Sequence, residues 1–165
     1  YPACNPPWVP WEVVTDQDLL KSNHGQEARI SQANEGDSVT FDRRAIPGGA
    51  VEGKWHGSDG HQIRRIDWPA PAASGGQSPL GSILFLPGRG DCYEKYLETL
   101  DHWARAGWRV TASDWRGQGG SGRLGNDATT GHVDDFSIWV ADLGYLWRQW
   151  VEQTPAPHIL IAHSM

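Results

Sequence analysis

Short apolar runs alternate with longer amphipathic segments over the second half of the chain. Residues 81–86, 108–114 and 159–162 have the length and composition of strands, and the last run, unbroken by any polar residue, is typical of a strand buried on both faces. Between them, apolar residues recur every three or four positions over about 94–105 and 134–152, which predicts two helices. The order strand, helix, strand, helix, strand is typical of an α/β domain with a mostly parallel sheet and crossover helices.

Each predicted helix has recognisable ends and one apolar face. Gly107 follows the first helix as a C-terminal glycine does, and Asp134 and Asp135 lie in the first turn of the second, where the helix dipole favours negative charge. In the second helix we expect one continuous apolar face made of Phe136, Trp139, Val140, Leu143, Leu146, Trp147, Trp150 and Val151.

The first third of the chain is less regular. Residues 1–50 are predicted to be an extended arm with little regular structure, since four prolines fall in the first ten residues; a short helix around Leu19 and Leu20 is the exception. Two short runs, 51–56 and 62–67, flank a loop with glycine and aspartate, which predicts a β-hairpin. Residues 69–79 are a surface connection. The α/β domain is therefore expected over residues 51–165.

Composition excludes several classes of protein. A net charge of -6 argues against a general nucleic-acid binder, because no basic face is available to neutralise phosphates. No apolar run approaches the ~20 residues that span a bilayer. Cys4 and Cys92 form neither a disulfide framework nor a metal-ligand spacing, so a reducing compartment is the default and a cytoplasmic location, or one peripheral to the membrane, is expected.

Candidate chemistry lies where the predicted strands end, because function collects at the carboxyl ends of parallel strands. Ser164 follows the last strand directly, with the small residue Ala162 two positions before it. This pattern predicts a nucleophile elbow, a sharp turn that exposes the serine hydroxyl. The alternative is a strand followed by a serine that caps a helix.

The turn after the strand at 81–86 contains Gly88 and Gly90 on either side of Arg89. Glycines there allow backbone N–H groups to turn inward, so the amides of Arg89 and Met165 are candidates for the two donors of an oxyanion hole. The alternative is an ordinary tight turn between a strand and a helix.

A glycine-rich loop follows the strand at 108–114. Gly117, Gly119 and Gly122 have the spacing of a dinucleotide-binding loop, but no helix is predicted to begin at Gly122 and no acidic residue follows at the end of a next strand. We therefore expect a structural role, in which Asp114 and Arg116 form a local ion pair that holds the loop under the rim of the site.

The remaining polar candidates are better explained by structure than by chemistry. His132, Asp134 and Asp135 could suggest a metal site, but capping of the second helix explains them better. His163 lies beside Ser164 but points to the other side of the strand, so we expect a packed or supporting histidine. Cys92 has no placed partner and is expected to be a small apolar filler.

Taken in order, these motifs resemble those of the α/β-hydrolase superfamily, and within it the lysophospholipase and monoacylglycerol-lipase branch. The resemblance covers residues 53–165 and depends on Pro-Gly-Arg-Gly at 87–90, Asp-Trp-Arg-Gly-Gln-Gly at 114–119, His-Val-Asp-Asp-Phe at 132–136 and Ala-His-Ser-Met at 162–165. This family often has His-Gly where this chain has Pro87-Gly88, and a glycine where it has Ala162.

The resemblance implies a fold and a set of roles. The fold would be the N-terminal portion of an α/β-hydrolase fold, a β-hairpin followed by a mostly parallel sheet. Ser164 would be the nucleophile and the amides of Arg89 and Met165 the oxyanion hole, while Gly88, Gly90, Asp114, Arg116 and His132 would be supports. The acid and the base of the triad follow the serine in this fold, and the chain up to Met165 contains neither. We therefore expect them in the remainder of the hydrolase domain, a second segment or chain.

The function implied is hydrolysis of an acyl ester of a lysophospholipid or monoacylglycerol through an acyl-enzyme, without a cofactor. Transient contact with a membrane surface belongs to the same expectation, and nucleic acid is not expected as a partner. Three alternatives stay open: a hydrolase of another carboxylic substrate or lactone, a non-catalytic hydrolase-like binding module, and a nucleotide-binding oxidoreductase.

Overall fold

A mixed sheet with a helix on each face is the framework of the protein. The computed structural model describes residues 41–42, 45–69 and 78–164, and within these the strands lie in the order β1-β2-β4-β3-β5. They are β1 (Val51–His56), β2 (Gln62–Trp68), β3 (Ser82–Leu86), β4 (Arg109–Ser113) and β5 (His158–Ala162). The compact unit that contains the sheet runs over Phe41–Met165. The expected arm at 1–50 and its short helix lie largely outside the described residues, so the domain boundary at residue 50 stays a prediction.

The register joins an antiparallel hairpin to a parallel core. β1 and β2 pair antiparallel through Val51 and Asp67 at one end and His56 and Gln62 at the other, which confirms the predicted hairpin. β2 pairs antiparallel with β4, whereas β3 is parallel to both β4 and β5. The carboxyl ends of β3, β4 and β5 therefore meet at one edge of the sheet, as the α/β pattern predicted.

Two helices connect the parallel strands. A short 3-10 helix, Tyr93–Tyr96, leads into α1 (Leu97–Arg105), and α2 covers Phe136–Gln153. Gly107 follows α1 with a φ of +102°, as its place after the helix predicted. Asp135 is the N-cap of α2 and accepts a hydrogen bond from the amide of Ser137 at 2.7 Å. α2 thus begins two residues later than the pattern indicated.

The helices pack on opposite faces of the sheet. α1 covers a cluster that contains Phe85, Val110 and Ala112, and α2 covers Leu84 and Leu86. Successive residues of a strand point to opposite faces, so β3 alternates between the two clusters. All five of its residues are buried, and β3 is therefore the centre of the core.

The apolar face of α2 is wider than the surface that the sheet covers. Trp139, Leu146 and Trp150 are buried, but Phe136 is 50% exposed and Val140 is 71% exposed. Helical residues advance by about 100° each, so Val140 points well away from the line through the buried positions. The continuous apolar face is therefore only partly buried, and these two residues lie outside its buried part.

The last strand lies at an edge of the sheet. β5 pairs with β3 on one side, and Ile159 and Leu160 are 36% and 45% exposed. The prediction of a strand buried on both faces is therefore wrong for the described residues, because no other described strand or helix covers this part of β5. Within the described residues β5 is thus an edge strand with an exposed apolar surface, and an edge of this kind is prone to pair with another strand.

Candidate active site

Ser164 lies on a sharp corner at the carboxyl end of β5. Its φ is +34°, and among the described residues other than glycine no other φ is positive. This left-handed region is unfavourable for a residue with a Cβ, and such strain is concentrated at functional sites. Ser164 is also exposed, so the chain turns here with the serine at the surface rather than inside regular structure.

The turn after β3 packs directly against this corner. A Cβ on Gly88 would lie 2.4 Å from the carbonyl oxygen of Ser164, so only glycine fits there. The amide of Arg89 donates to the same carbonyl oxygen at 3.2 Å, and the amide of His163 donates to Leu86 at 3.0 Å. The structure therefore brings Gly88, Arg89 and Ser164 together. Met165, the other expected oxyanion donor, lies outside the described residues.

A buried glutamine connects this turn to the glycine-rich loop. The amide of Gly90 donates to Oε1 of Gln118 at 2.8 Å, and Gln118 is 2% exposed. Its Nε2 is buried, with no hydrogen-bond partner among the described residues. Sequence analysis missed this contact, because nothing in the local pattern distinguishes Gln118 from a solvent-exposed loop residue.

Two indoles hold the same loops from the α2 side. Trp115 donates from Nε1 to the carbonyl oxygen of Pro87 at 2.7 Å, and Trp139 donates to that of Arg116 at 3.0 Å. The two rings stack with centroids 5.3 Å apart. Large aromatic side chains with one polar atom can both fill a core and fix a backbone, so these tryptophans position the turn beside Ser164.

Asp114 is an organising carboxylate under the site. Its side chain is fully buried, pairs with Arg64 at 2.7 Å and accepts the amides of Tyr93 at 3.1 Å and Gly120 at 2.8 Å. Burial raises the pKa of the Asp114 carboxyl, while Arg64 and the two amides favour its ionised form. Asp114 therefore ties β2, the start of the 3-10 helix and the glycine-rich loop together.

The predicted ion pair between Asp114 and Arg116 is wrong. Arg116 instead pairs with Asp142 of α2 at 2.7 Å and with Asp59 of the hairpin loop at 2.6 Å. The chain turns between the two residues, so their side chains lie in different clusters. The true partners, Arg64 for Asp114 and Asp142 for Arg116, are far away in the sequence, and no local spacing could have identified them.

The glycine-rich loop has a structural explanation. No helix begins at Gly122, as expected, since α2 starts only at Phe136. Gly119 has a φ of +47°, and a Cβ there would lie 2.2 Å from Oδ2 of Asp114. The loop thus needs glycine in order to wrap around a buried carboxylate, which accounts for the spacing without a nucleotide.

His132 lies beside this loop and forms a hydrogen bond through Nε2 with Asp134 at 2.8 Å, at the surface. Asp135, not His132 or Asp134, caps α2. In the described part of the chain no three His, Cys, Asp or Glu side chains come close enough to hold a metal ion. His132 is therefore placed as a surface residue of the loop, and its supporting role stays a prediction.

The ring of His163 is directed at Tyr96, the last residue of the 3-10 helix. Its Nδ1 lies 2.9 Å from the hydroxyl of Tyr96, which donates to Asp91 at 2.7 Å. Burial opposes ionisation of Asp91, but hydrogen bonds from Lys95, Tyr96 and an amide lower its pKa overall. Since the Asp91 carboxylate accepts the single proton of Tyr96, Nδ1 of His163 is the donor to Tyr96. Cys92, next to Asp91, has a free thiol whose pKa is raised by burial.

Comparison with known proteins identifies the family that builds such a site. The family model described as serine aminopeptidase, S33, matches residues 77–165, more than half of the chain. The chain belongs to this family. The S33 match includes the turn after β3, the glycine-rich loop and the corner at Ser164, and it confirms the resemblance to α/β-hydrolases that the motifs indicated.

The relatives of this S33 chain agree with the fold. Lysophospholipase L2 of Escherichia coli strain K12 is 40% identical over 84 residues, which are 50% of this chain and 25% of that protein. A thermostable carboxyl esterase from Bacillus coagulans superposes with a TM-score of 0.51 at 18% identity, covering 68% of this chain and 35% of the esterase. An epoxide hydrolase from Vigna radiata gives 0.51 at 16% identity, covering 73% and 34%.

These comparisons establish the α/β-hydrolase fold and the S33 family. They also show how much of the length of each relative this chain spans. The chain spans about a quarter of the length of the lysophospholipase and about a third of each solved structure. An esterase and an epoxide hydrolase share the fold, so fold alone does not select the reaction. No described helix is both long and apolar enough to cross a membrane; the cytoplasmic location stays a prediction.

Proposed function

We propose that this S33 chain carries the nucleophile of a serine hydrolase that cleaves carboxylic acyl esters. The observation that carries the proposal is the corner at Ser164, where a non-glycine residue with positive φ packs against a glycine-requiring turn. A nucleophile elbow needs a hydroxyl at a sharp turn, with backbone donors across from it. Among the described residues, the amide of Arg89 is the candidate for such a backbone donor.

The reaction runs through an acyl-enzyme. Oγ of Ser164 attacks the ester carbonyl as its proton passes to a histidine base, and the carbonyl oxygen becomes an oxyanion that accepts hydrogen bonds from amides. The leaving alcohol takes the proton from the base. Water then attacks the acyl-enzyme and gives a proton to the base, which returns it to Oγ of Ser164 as the acid is released. We infer that the base and its carboxylate partner belong to the remainder of the hydrolase domain, since His163, the histidine next to Ser164 in the chain, is engaged by Tyr96.

The proposed substrate is an acyl ester of a lysophospholipid or monoacylglycerol. Support comes from the 40% identity with a lysophospholipase over 84 residues of this chain. Another carboxylic substrate or a lactone would use the same serine and the same donors. Rates on acyl-ester and lactone substrates, measured side by side with the complete protein, distinguish these.

Covalent labelling tests the chemistry. The complete protein is treated with a small fluorophosphonate and the labelled peptide is identified by mass spectrometry. We expect one adduct, on Ser164, which is lost in Ser164→Ala. Ser137→Ala, an exposed serine at the start of α2, is the matched control and keeps the adduct. A complete protein that is folded but not labelled at Ser164 would instead be a hydrolase-like binding module.

A further inference from the structure

Arg89 lies beside the proposed nucleophile and is exposed, and both features bear on substrate choice. Its backbone amide lies 3.2 Å from the carbonyl oxygen of Ser164, so the Arg89 side chain begins beside the proposed nucleophile. The residue is also exposed. A substrate whose ester reaches Ser164 must therefore pass close to a permanent positive charge, since arginine stays protonated at every pH at which the protein is folded.

Among the described residues, no carboxylate forms an ion pair with the guanidinium of Arg89. Other described arginines do form ion pairs: Arg64 with Asp114, Arg116 with Asp142 and Asp59, and Arg105 with Asp101. The acid closest to Arg89 in sequence is Asp91, which already binds Lys95 and Tyr96. Arg89 thus differs from the buried arginines, whose charges serve the fold.

An aromatic ring holds the guanidinium in place. Cζ of Arg89 lies 5.7 Å from the centroid of Phe136, on the α2 side of the sheet. Phe136 belongs to the part of α2 that is exposed, with Val140 one turn further on. Contact with the face of a ring stabilises a guanidinium and limits its motion, while its N–H groups stay available at the edge. The positive charge of Arg89 is therefore held beside Phe136 and forms no ion pair with a described carboxylate.

We propose that Arg89 is a specificity-determining residue that binds the phosphate of a lysophospholipid, so that the enzyme prefers phosphate-bearing acyl esters to neutral monoacylglycerols. This rests on the proposed function of Ser164. In a lysophospholipid the phosphate is separated from the acyl ester only by the glycerol backbone. Guanidinium N–H groups match two phosphate oxygens at once, which gives both strength and direction to the contact.

The nearby lysine does not take this role. Nζ of Lys95 lies 2.7 Å from Asp91, so its charge is balanced at the surface. The Arg89 side also differs from the His163 side of the sheet. Phe136 packs on Trp139, which clusters with Leu86 on one face, while Tyr96 packs on Phe85 on the other. We place the phosphate on the Arg89 and Phe136 side.

The test compares two substrates that differ only in phosphate. With the complete protein, kcat/KM is measured for a short-chain 1-acyl lysophosphatidic acid and for the 1-monoacylglycerol with the same acyl chain. We expect the wild type to prefer the phosphate ester. Arg89→Gln lowers the ratio of the two constants by about 10- to 100-fold. Arg89→Lys restores part of it, and the preference weakens as salt is added.

Controls separate the possible outcomes. Arg105→Gln removes the same charge at the far end of α1 from the site, and we expect the ratio to be unchanged; an equal fall there would overturn the inference in favour of a general effect of net charge. The labelling rate of Ser164 by a neutral fluorophosphonate reports whether the corner is intact in each variant. If both substrates are hydrolysed and Arg89→Gln leaves the ratio unchanged, the inference is wrong while the proposed function stands. If neither is hydrolysed and Ser164 is not labelled, the proposed function is itself wrong.

Discussion

The amide of Arg89 donates its hydrogen bond to the carbonyl oxygen of Ser164, at 3.2 Å. The contact joins the turn after β3 to the corner after β5, across two parallel strands that end side by side. In this conformation the donor proposed for the oxyanion is engaged by the backbone of the proposed nucleophile. In the proposed mechanism the Ser164 carbonyl would turn away, so that the Arg89 amide could face the substrate.

Gly88→Ala should damage the corner at Ser164. Its new Cβ would lie 2.4 Å from the Ser164 carbonyl oxygen, a backbone atom that can move only if the turn opens. We expect fluorophosphonate labelling of Ser164 to be slowed strongly, with a loss of about 1–3 kcal/mol in the free energy of unfolding measured in urea.

Gly144→Ala is the matched control for this variant. Gly144 lies inside α2, where a Cβ would meet no atom within 4 Å. Alanine favours a helix over glycine, so we expect a gain of up to about 1 kcal/mol in stability and no change in labelling. Equal labelling rates in Gly88→Ala and Gly144→Ala would show that the close approach at Gly88 is not needed.

Asp142→Asn should destabilise the protein much more than Asp59→Asn. Both carboxylates accept from Arg116, but the side chain of Asp142 is 6% exposed and that of Asp59 is 59% exposed. Removing the buried partner leaves part of a guanidinium charge uncompensated, at a cost of about 3 kcal/mol or more. The exposed pair is weakened by solvent. Urea unfolding of both variants measures the difference, and equal losses would contradict the argument from burial.

His163 should be found as its Nδ1–H tautomer. The Asp91 carboxylate accepts the proton of Tyr96, which leaves the Tyr96 oxygen to accept from His163. Long-range proton–nitrogen NMR spectra of the imidazole distinguish the two tautomers at a pH at which the ring is neutral. In Tyr96→Phe this acceptor is lost, and we expect a mixture of tautomers. A wild type in the Nε2–H form would mean that Tyr96 donates to His163 instead of Asp91.

Stability should fall in alkaline solution as Tyr96 loses its proton. Burial, and then the hydrogen bond to Asp91, raises the pKa of Tyr96 from 10.0 to about 12. Between these values the folded chain binds more protons than the unfolded chain, so the free energy of unfolding decreases as pH rises. The contribution is fully present below pH 10. Tyr96→Phe should reduce the decrease in the free energy of unfolding with pH over this range, measured by urea unfolding. If the decrease is unchanged, it comes from other groups, such as Tyr93, whose pKa is also raised by burial.

Much of the fold was predictable because it depends on local patterns. The hairpin around 57–60, the strand 82–86 and the two helices follow from periodicity and from glycine at turns, which neighbouring residues determine. The same patterns overestimated burial at Leu160, and they did not show that Val140 would be exposed. How much of an apolar face is buried depends on which other element packs against it. The sequence of a single helix or strand does not specify that element.

The sequence by itself determined the order of the helices and strands. It also determined which polar residues lie at the strand ends, including Ser164 and Arg89. Both follow from local properties, the period of the apolar residues and the positions of the glycines. Only the tertiary structure decided the partners: Arg64 for Asp114, Asp142 for Arg116, Gln118 for Gly90 and Tyr96 for His163. Buried charges and amides bind whichever group the packing of the sheet and helices brings within a few ångströms. That proximity joins residues far apart in the chain, so spacing along the sequence does not reveal it.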